Sequence, residues 1–291
     1  MTEPVLQHLV VVPEGTAGGP RRMAWWDWPC TGSDASRVVV CVHGLSRQGR
    51  DFDVLARALQ PHARVVSVDV AGRGHSDWLA DPSGYQVPTY ATDIAQLLMQ
   101  LRQQHPDGLI DWVGTSMGGL IGMGYASLPN NPIRKLILND VGPSLNFSAL
   151  QRIGDYVGKP VQFQTLQEAR QYIRTISQPF GPHTESQWNE LCDSVLVEKN
   201  GHWQPHYDPA IGQAFQNLSE STTLLHETAL WAAFDAIKAD TLVVRGEHSD
   251  LLSKQTVAEM SQRGPKPRVI EVHGVGHAPT FMQNEQINIV R

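Results

Sequence analysis

The chain has 291 residues, 41% of them hydrophobic, and a formal net charge of −6 at neutral pH. That length can bury a large core and suits one domain carrying an inserted segment. The mild acidity offers no basic footprint for nucleic acid or an anionic membrane surface, and no apolar run approaches the roughly 20 residues that span a bilayer.

The opening Met1-Thr2-Glu3-Pro4 lacks the basic region and apolar core of a signal peptide. Leu6 to Val12 and Met23 to Trp28 read as strands, separated by the turn-rich Pro13-Glu14-Gly15-Thr16-Ala17-Gly18-Gly19-Pro20, and would form an antiparallel hairpin at a sheet edge. Val38-Val39-Val40-Cys41-Val42 is a buried strand that runs into His43-Gly44-Leu45. Phe52 to Leu59 is helical, with Phe52, Leu55 and Leu59 on one side. Val65-Val66-Ser67-Val68-Asp69 is the next strand, followed by the turn Gly72-Arg73-Gly74-His75-Ser76. Thr89 to Arg102 is a clearer helix, because Ile94, Leu97, Leu98 and Leu101 make one apolar stripe. Strands alternating with helices argue a mostly parallel sheet covered on both faces.

The most informative run is Leu109-Ile110-Asp111-Trp112-Val113-Gly114-Thr115-Ser116-Met117-Gly118-Gly119. A β-prone stretch leads into Gly-x-Ser-x-Gly, and the small or apolar residues from Met117 to Ala126 continue as a buried helix. A serine in a strained strand-to-helix turn projects its hydroxyl outward, and only residues without side chains let neighbouring backbone pass that close. The helix start adds free N–H groups and positive dipole potential where an oxyanion could develop.

After Ile133 to Asp140, another strand, the pattern changes at Gly142-Pro143. From Ser144 to Leu230 the chain is helix-like without convincing buried strands, and it carries Phe147, Tyr156, Phe163, Tyr172, Phe180, Trp188, Trp203, Tyr207 and Phe215. These aromatics suit both a small core of the insertion and the lining of an apolar cavity above Ser116. Thr241 to Gly246 then reads as a buried parallel strand, with Asp250 just beyond its carboxyl end, and Arg268 to Val272 as a strand ending in His273-Gly274-Val275-Gly276-His277. Ala278 to Arg291 leaves room for only a short last helix.

In these motifs the chain resembles the α/β-hydrolase superfamily over nearly its whole length. Val38 to Leu45 looks like the family's strand and His-Gly oxyanion loop. Asp69 with Gly72, Gly74 and Ser76 looks like its Asp-x-x-Gly-x-Gly-x-Ser turn, and the order serine, aspartate, histidine is the family's order. The resemblance implies an eight-stranded, mostly parallel sheet with helices on both faces. It also implies a core of residues 1–143 and 231–291 and a helical cap, residues 144–230, inserted after the sixth strand; the final helix would be truncated relative to the family.

The roles that follow are Ser116 as nucleophile, His277 as general base and then acid, and Asp250 as the residue that orients the imidazole. Backbone N–H groups of Leu45 and Met117 would form the oxyanion hole. Among rival histidines, His43 is read as orienting the oxyanion loop, His75 as packing or capping, and His273 as lying at a strand end. His202 and His206, with Asp208 beyond, are not read as a metal site, because Trp203 and Pro205 spoil a helical pair. Asp140, after the sixth strand, stands where some members of the family place the acid, but it is read as structural, near the hinge of the insertion; Glu247 and Asp235 are weaker candidates for the acid. Asp69 should brace the glycine turn, and Cys41 should pack.

A serine nucleophile argues against the dehalogenase and epoxide hydrolase chemistries of this fold, which use aspartate there. The expected activity is hydrolysis of carboxylic esters of small or medium apolar substrates through an acyl-serine, with no cofactor, no metal, no nucleic-acid partner and no membrane span. Alternatives are a carbon–carbon hydrolase of aromatic degradation, for which Arg152, Arg170 and Arg174 are candidate carboxylate clamps, and a non-catalytic ligand receptor on the same scaffold. Cys30, Cys41 and Cys192, odd in number and widely spaced, suggest thiols in a reducing compartment, and hence a cytoplasmic protein. The oligomeric state stays open.

Overall fold

In a computed structural model, the described residues 2–12, 19–33, 36–105, 108–216 and 219–291 form ten strands and nine α-helices. Most of the turn read between the first two strands, residues 13–18, lies outside the described residues. In chain order the elements are β1 (Val5–Val11), β2 (Arg21–Trp28), β3 (Arg37–Val42), α1 (Asp53–Leu59), β4 (Arg64–Asp69), α2 (Val87–Gln104), β5 (Leu109–Thr115), α3 (Met117–Ala126) and β6 (Ile133–Asn139). Then follow α4 (Phe147–Gly154), α5 (Leu166–Ile176), α6 (Glu185–Asp193), β7 (Leu196–Lys199), β8 (His202–Pro205) and α7 (Glu220–Ala236). The chain closes with β9 (Asp240–Gly246), α8 (Lys254–Met260), β10 (Arg268–Val272) and α9 (Asn284–Val290).

Eight strands form one sheet in the order β1-β2-β4-β3-β5-β6-β9-β10. β1 pairs antiparallel with β2 and β2 antiparallel with β4, while β4, β3, β5, β6, β9 and β10 run parallel. The central strands are buried on both faces, as parallel strands under helices must be, and their side chains alternate between two cores. Val38, Val40 and Val42 join the core with Leu97, Leu98 and Leu101 of α2, Ile121 of α3 and Phe234 of α7. Val39 and Cys41 join the opposite core with Leu55 and Leu59 of α1 and Ile287 and Val290 of α9.

Residues 144–230 lie between β6 and β9, and their architecture departs from the purely helical expectation. Leu196–Lys199 and His202–Pro205 pair as an antiparallel hairpin through Asn200 and Gly201, both at positive φ. Four-residue strands of this kind, whose burial is irregular, carry no clear alternation in sequence. The boundary at 230 also falls inside a helix: α7 continues to Ala236, and its Trp231 and Phe234 belong to the main core. No helix among the described residues is long and apolar enough to cross a membrane.

Candidate active site

Ser116, Asp250, His277, Leu45 and Met117 all lie just past the carboxyl ends of parallel strands, where neighbouring loops share one crevice. Ser116 directly follows β5 and caps α3 with φ 51° and ψ −115°, a left-handed backbone that costs about 1–3 kcal/mol for a non-glycine residue. The flanking glycines permit it. A Cβ on Gly114 would lie 2.3 Å from the Gly118 carbonyl oxygen, and one on Gly118 would lie 2.0 Å from that of Val42. Both distances are impossible for real side chains, so the turn closes only with glycine at each position.

The Ser116 hydroxyl lies 3.0 Å from His277 Nε2, and His277 Nδ1 lies 2.7 Å from Asp140 Oδ2. The carboxylate can only accept, so Nδ1 carries the proton and Nε2 is left to accept from the serine. Asp140 is fully buried, with φ 55°, immediately after β6. Its Oδ1 accepts from the Gly246 N–H at 2.8 Å, and its Oδ2 also accepts from Ser249 Oγ at 2.6 Å. Asn139 ties the parts together by donating to Thr115 Oγ1 at 2.9 Å and to the Pro279 carbonyl at 2.8 Å.

Asp250 is not at this site. Its carboxylate faces outward, 45% exposed, and accepts a two-pronged bond from Arg152 of α4 at 2.8 and 3.1 Å. The physical reason lies in the loop after β9. Arg245, buried, donates to the carbonyls of Leu252, Glu247 and Ser249, and that folded loop turns Ser249 inward to Asp140 and Asp250 outward. β6 and β9 are neighbours in the sheet, so an acid after either strand can reach the same histidine. Ser249, Asn139 and Arg245 were not singled out by sequence reasoning; the only signal was that Ser249 adjoins Asp250.

The loop after β3 lies against Ser116, since a Cβ on Gly44 would be 3.7 Å from Ser116 Cβ. Leu45 borders the same cleft, and Met117 is the first residue of α3, whose N–H has no partner within the helix. His43 accepts from the Val70 N–H through Nε2 at 3.0 Å and donates from Nδ1 to the Gly44 carbonyl at 2.7 Å. Burial pushes its pKa down to about 3, helped by the nearby Arg73 and Arg47 charges and opposed by the Gly44 bond, so the ring is neutral when it holds the loop. Asp69 accepts from the N–H groups of Gly49 and His75 at 2.7 and 2.9 Å; burial pushes its carboxyl up to about 7.

The cleft over Ser116 encloses about 70 Å³ and is mainly apolar. Of the aromatics in the insertion, Tyr156, Phe180 and Tyr207 line it, whereas Phe163, Tyr172 and Trp203 pack in a separate small core around Ala169, Ile173 and Leu196. Of the three arginines considered as clamps, Arg152 lines the cleft. Arg170 and Arg174 are engaged by Asp193 and Glu185 on the insertion. His202 meets Gln164 at 3.0 Å, and His206 packs edge-on against His75. No group of His, Cys, Asp and Glu side chains among the described residues is arranged to hold a metal ion.

A family profile described as alpha/beta hydrolase fold matches residues 37–281. The chain is 50% identical over 276 residues to a 3-hydroxybutyrate-oligomer hydrolase of Cupriavidus necator, covering 93% of this chain and 92% of that one. It is 27% identical over 272 residues to an esterase of Mycobacterium tuberculosis, covering 89% and 83% of the two chains. Among solved structures, an alpha/beta hydrolase from Novosphingobium aromaticivorans superposes with a TM-score of 0.83 at 31% identity, over 100% of this chain and 97% of that one.

Proposed function

The chain belongs to the α/β-hydrolase fold family and is a hydrolase acting on ester bonds, and from that premise we propose that it is a serine esterase cleaving short hydroxyalkanoate esters of the 3-hydroxybutyrate type. The observation that carries the proposal is the unbroken line from Ser116 Oγ through His277 to Asp140, opening into a small apolar cleft. His277 Nε2 takes the hydroxyl proton as Ser116 Oγ attacks the ester carbonyl, and Asp140 holds the imidazole in the required tautomer and stabilises the imidazolium. The N–H groups of Leu45 and Met117 receive the oxyanion of the tetrahedral intermediate. Its collapse expels the alcohol, which leaves with the proton from His277. Water activated by the same imidazole then attacks the acyl-serine, and the freed acid and serine complete the cycle.

The substrate class rests on two supports. The relative from Cupriavidus necator is named for 3-hydroxybutyrate oligomers. The 70 Å³ cleft holds about five to seven water volumes at 10–15 Å³ each, the scale of a short acyl group. The bidentate Arg152–Asp250 pair at the rim leaves the apolar walls, rather than a free cation, to hold the acyl chain. Buried, unbridged thiols at Cys41 and Cys192 support a reducing compartment such as the cytoplasm.

Hydrolysis of p-nitrophenyl esters from acetate to palmitate, and of linear 3-hydroxybutyrate oligomers, tests the reading in wild type and Ser116→Ala side by side. Activity should peak at short acyl chains, release 3-hydroxybutyrate from the oligomers, and fall by about 10⁴–10⁶ in the variant. Retained activity in Ser116→Ala would remove the serine mechanism, and a preference for long chains would remove the substrate class.

A further inference from the structure

Arg73 is fully buried, yet no carboxylate among the described residues lies within ion-pair distance of it. Arginine stays charged in any protein environment, and a lone buried charge costs several kcal/mol after relaxation. Folds retain such groups where something else depends on them. What Arg73 touches is therefore informative.

Its Nε donates to the Leu45 carbonyl at 2.8 Å, and its Nη2 points at Met117 Sδ at 3.6 Å. Leu45 and Met117 are the two residues whose N–H groups face the developing oxyanion in the mechanism above. Nη1 donates to the Ala71 carbonyl at 2.7 Å and to Tyr90 Oη at 2.9 Å, and the guanidinium carbon stands 5.0 and 5.7 Å from the ring centres of Tyr90 and Tyr85. The charge is thus solvated by carbonyl, hydroxyl, sulfur and aromatic faces, none of which neutralises it. A carboxylate, Asp208, is reached only through Tyr85, whose hydroxyl donates to it at 2.5 Å.

The turn that carries Arg73 is shaped to bury it. Gly72 and Gly74 both have positive φ, and Cβ atoms there would lie 2.6 Å from the Tyr85 ring and 2.3 Å from Asp69 Oδ2. The insertion is fastened to the same turn: the Asp208 N–H donates to the Gly72 carbonyl at 2.8 Å, and the Gly74 N–H to that of His206 at 3.1 Å. Tyr207, between them, lines the cleft.

We propose that Arg73 is a positioning residue for the oxyanion hole, clamping the Leu45 loop against the start of α3 and holding an uncompensated positive charge behind the two residues whose N–H groups receive the carbonyl oxygen as it becomes negative. The inference rests on the serine esterase reading. Because the oxyanion exists only in the tetrahedral species, a buried charge there favours the transition state over bound ester, and its loss should appear in kcat rather than KM.

The test uses Arg73→Met, Arg73→Lys and Tyr90→Phe, the last removing one acceptor while keeping the ring. For each, kcat and KM on p-nitrophenyl butyrate are compared with affinity for an alkyl boronic acid, which forms an anionic tetrahedral adduct on the serine. Arg73→Met should lower kcat about 10²-fold with KM within threefold, weaken boronate binding in parallel, and be partly rescued by Arg73→Lys. Unchanged kcat in folded Arg73→Met, or reduced kcat with undiminished boronate affinity, overturns the proposal. Should Arg73→Met not fold, the neutral but polar Arg73→Gln takes its place, and unchanged kcat and boronate affinity in that variant overturn the proposal equally. Equal boronate binding by wild type and Ser116→Ala would instead sink the serine esterase reading itself, which keeps the two failures apart.

Discussion

Asp140 and His277, 137 positions apart, meet at 2.7 Å beneath the Ser116 hydroxyl. The contact is buried: the histidine side chain is 11% exposed and the aspartate 0%. Two further donors, the Gly246 N–H and Ser249 Oγ, fix the carboxylate on the strand next to its own. Such a carboxylate has one orientation, and so has the imidazole it holds.

Asp140→Asn should therefore reduce kcat by about 10⁴, because an amide at that position can present its NH₂ to the ring and favour the wrong tautomer. Asp250→Asn, which only loosens a half-exposed pair with Arg152, should change kcat less than tenfold. Steady-state kinetics on p-nitrophenyl butyrate decide the matter, and the opposite ranking would return the acid to the loop after β9.

Glycines within one helix should respond in opposite ways. In α3 a Cβ on Gly122 would lie 2.4 Å from Trp112 Nε1, whereas one on Gly124 meets nothing within 4 Å. Gly122→Ala should destabilise by about 1–3 kcal/mol through overpacking. Gly124→Ala should stabilise by about 0.5–1 kcal/mol, because alanine loses less backbone freedom in a helix. Urea unfolding of both variants measures the contrast, and a shared sign would contradict the packing described.

His43 should make stability depend on pH on the acid side. Its pKa is about 3 in the folded chain against 6.5 for the free group. The folded state therefore binds fewer protons than the unfolded state between these values. Stability present above pH 6.5 is lost as the pH falls toward 3, at no more than about 1.4 kcal/mol per unit. His43→Gln removes this slope, while the carboxyls of Asp53 and Asp69, pushed up by burial to about 6 and about 7, titrate in both proteins. The stability advantage of wild type over the variant should thus shrink from about pH 7 to about pH 5; a constant difference in urea unfolding would show that His43 does not titrate in this window.

Much of the molecule was legible in the sequence because it is written in local terms. The two-faced burial of Val38 to Val42, the glycines at 114 and 118 and the His-Gly loop are each short-range requirements of backbone and solvent. Their order along the chain carries the family resemblance that implies the eight-stranded sheet, with Ser116 and His277 at its carboxyl edge. The short hairpin within 144–230 and the run of α7 into the core were not legible, since neither has a periodicity stronger than its surroundings.

What only the tertiary structure decided is which groups meet across strands. Asp140 and Asp250 follow adjacent strands and carry the same side chain, so pattern alone cannot choose between them. The choice is made by Arg245, which folds one loop so that Ser249 turns inward to Asp140 and Asp250 turns out to Arg152. In the same way, Arg73 is an ordinary turn residue until Leu45 and Met117, from two other strand ends, are seen packed against its guanidinium. Sequence determines what each strand end offers; side-chain direction and long-range packing determine which offers are taken up.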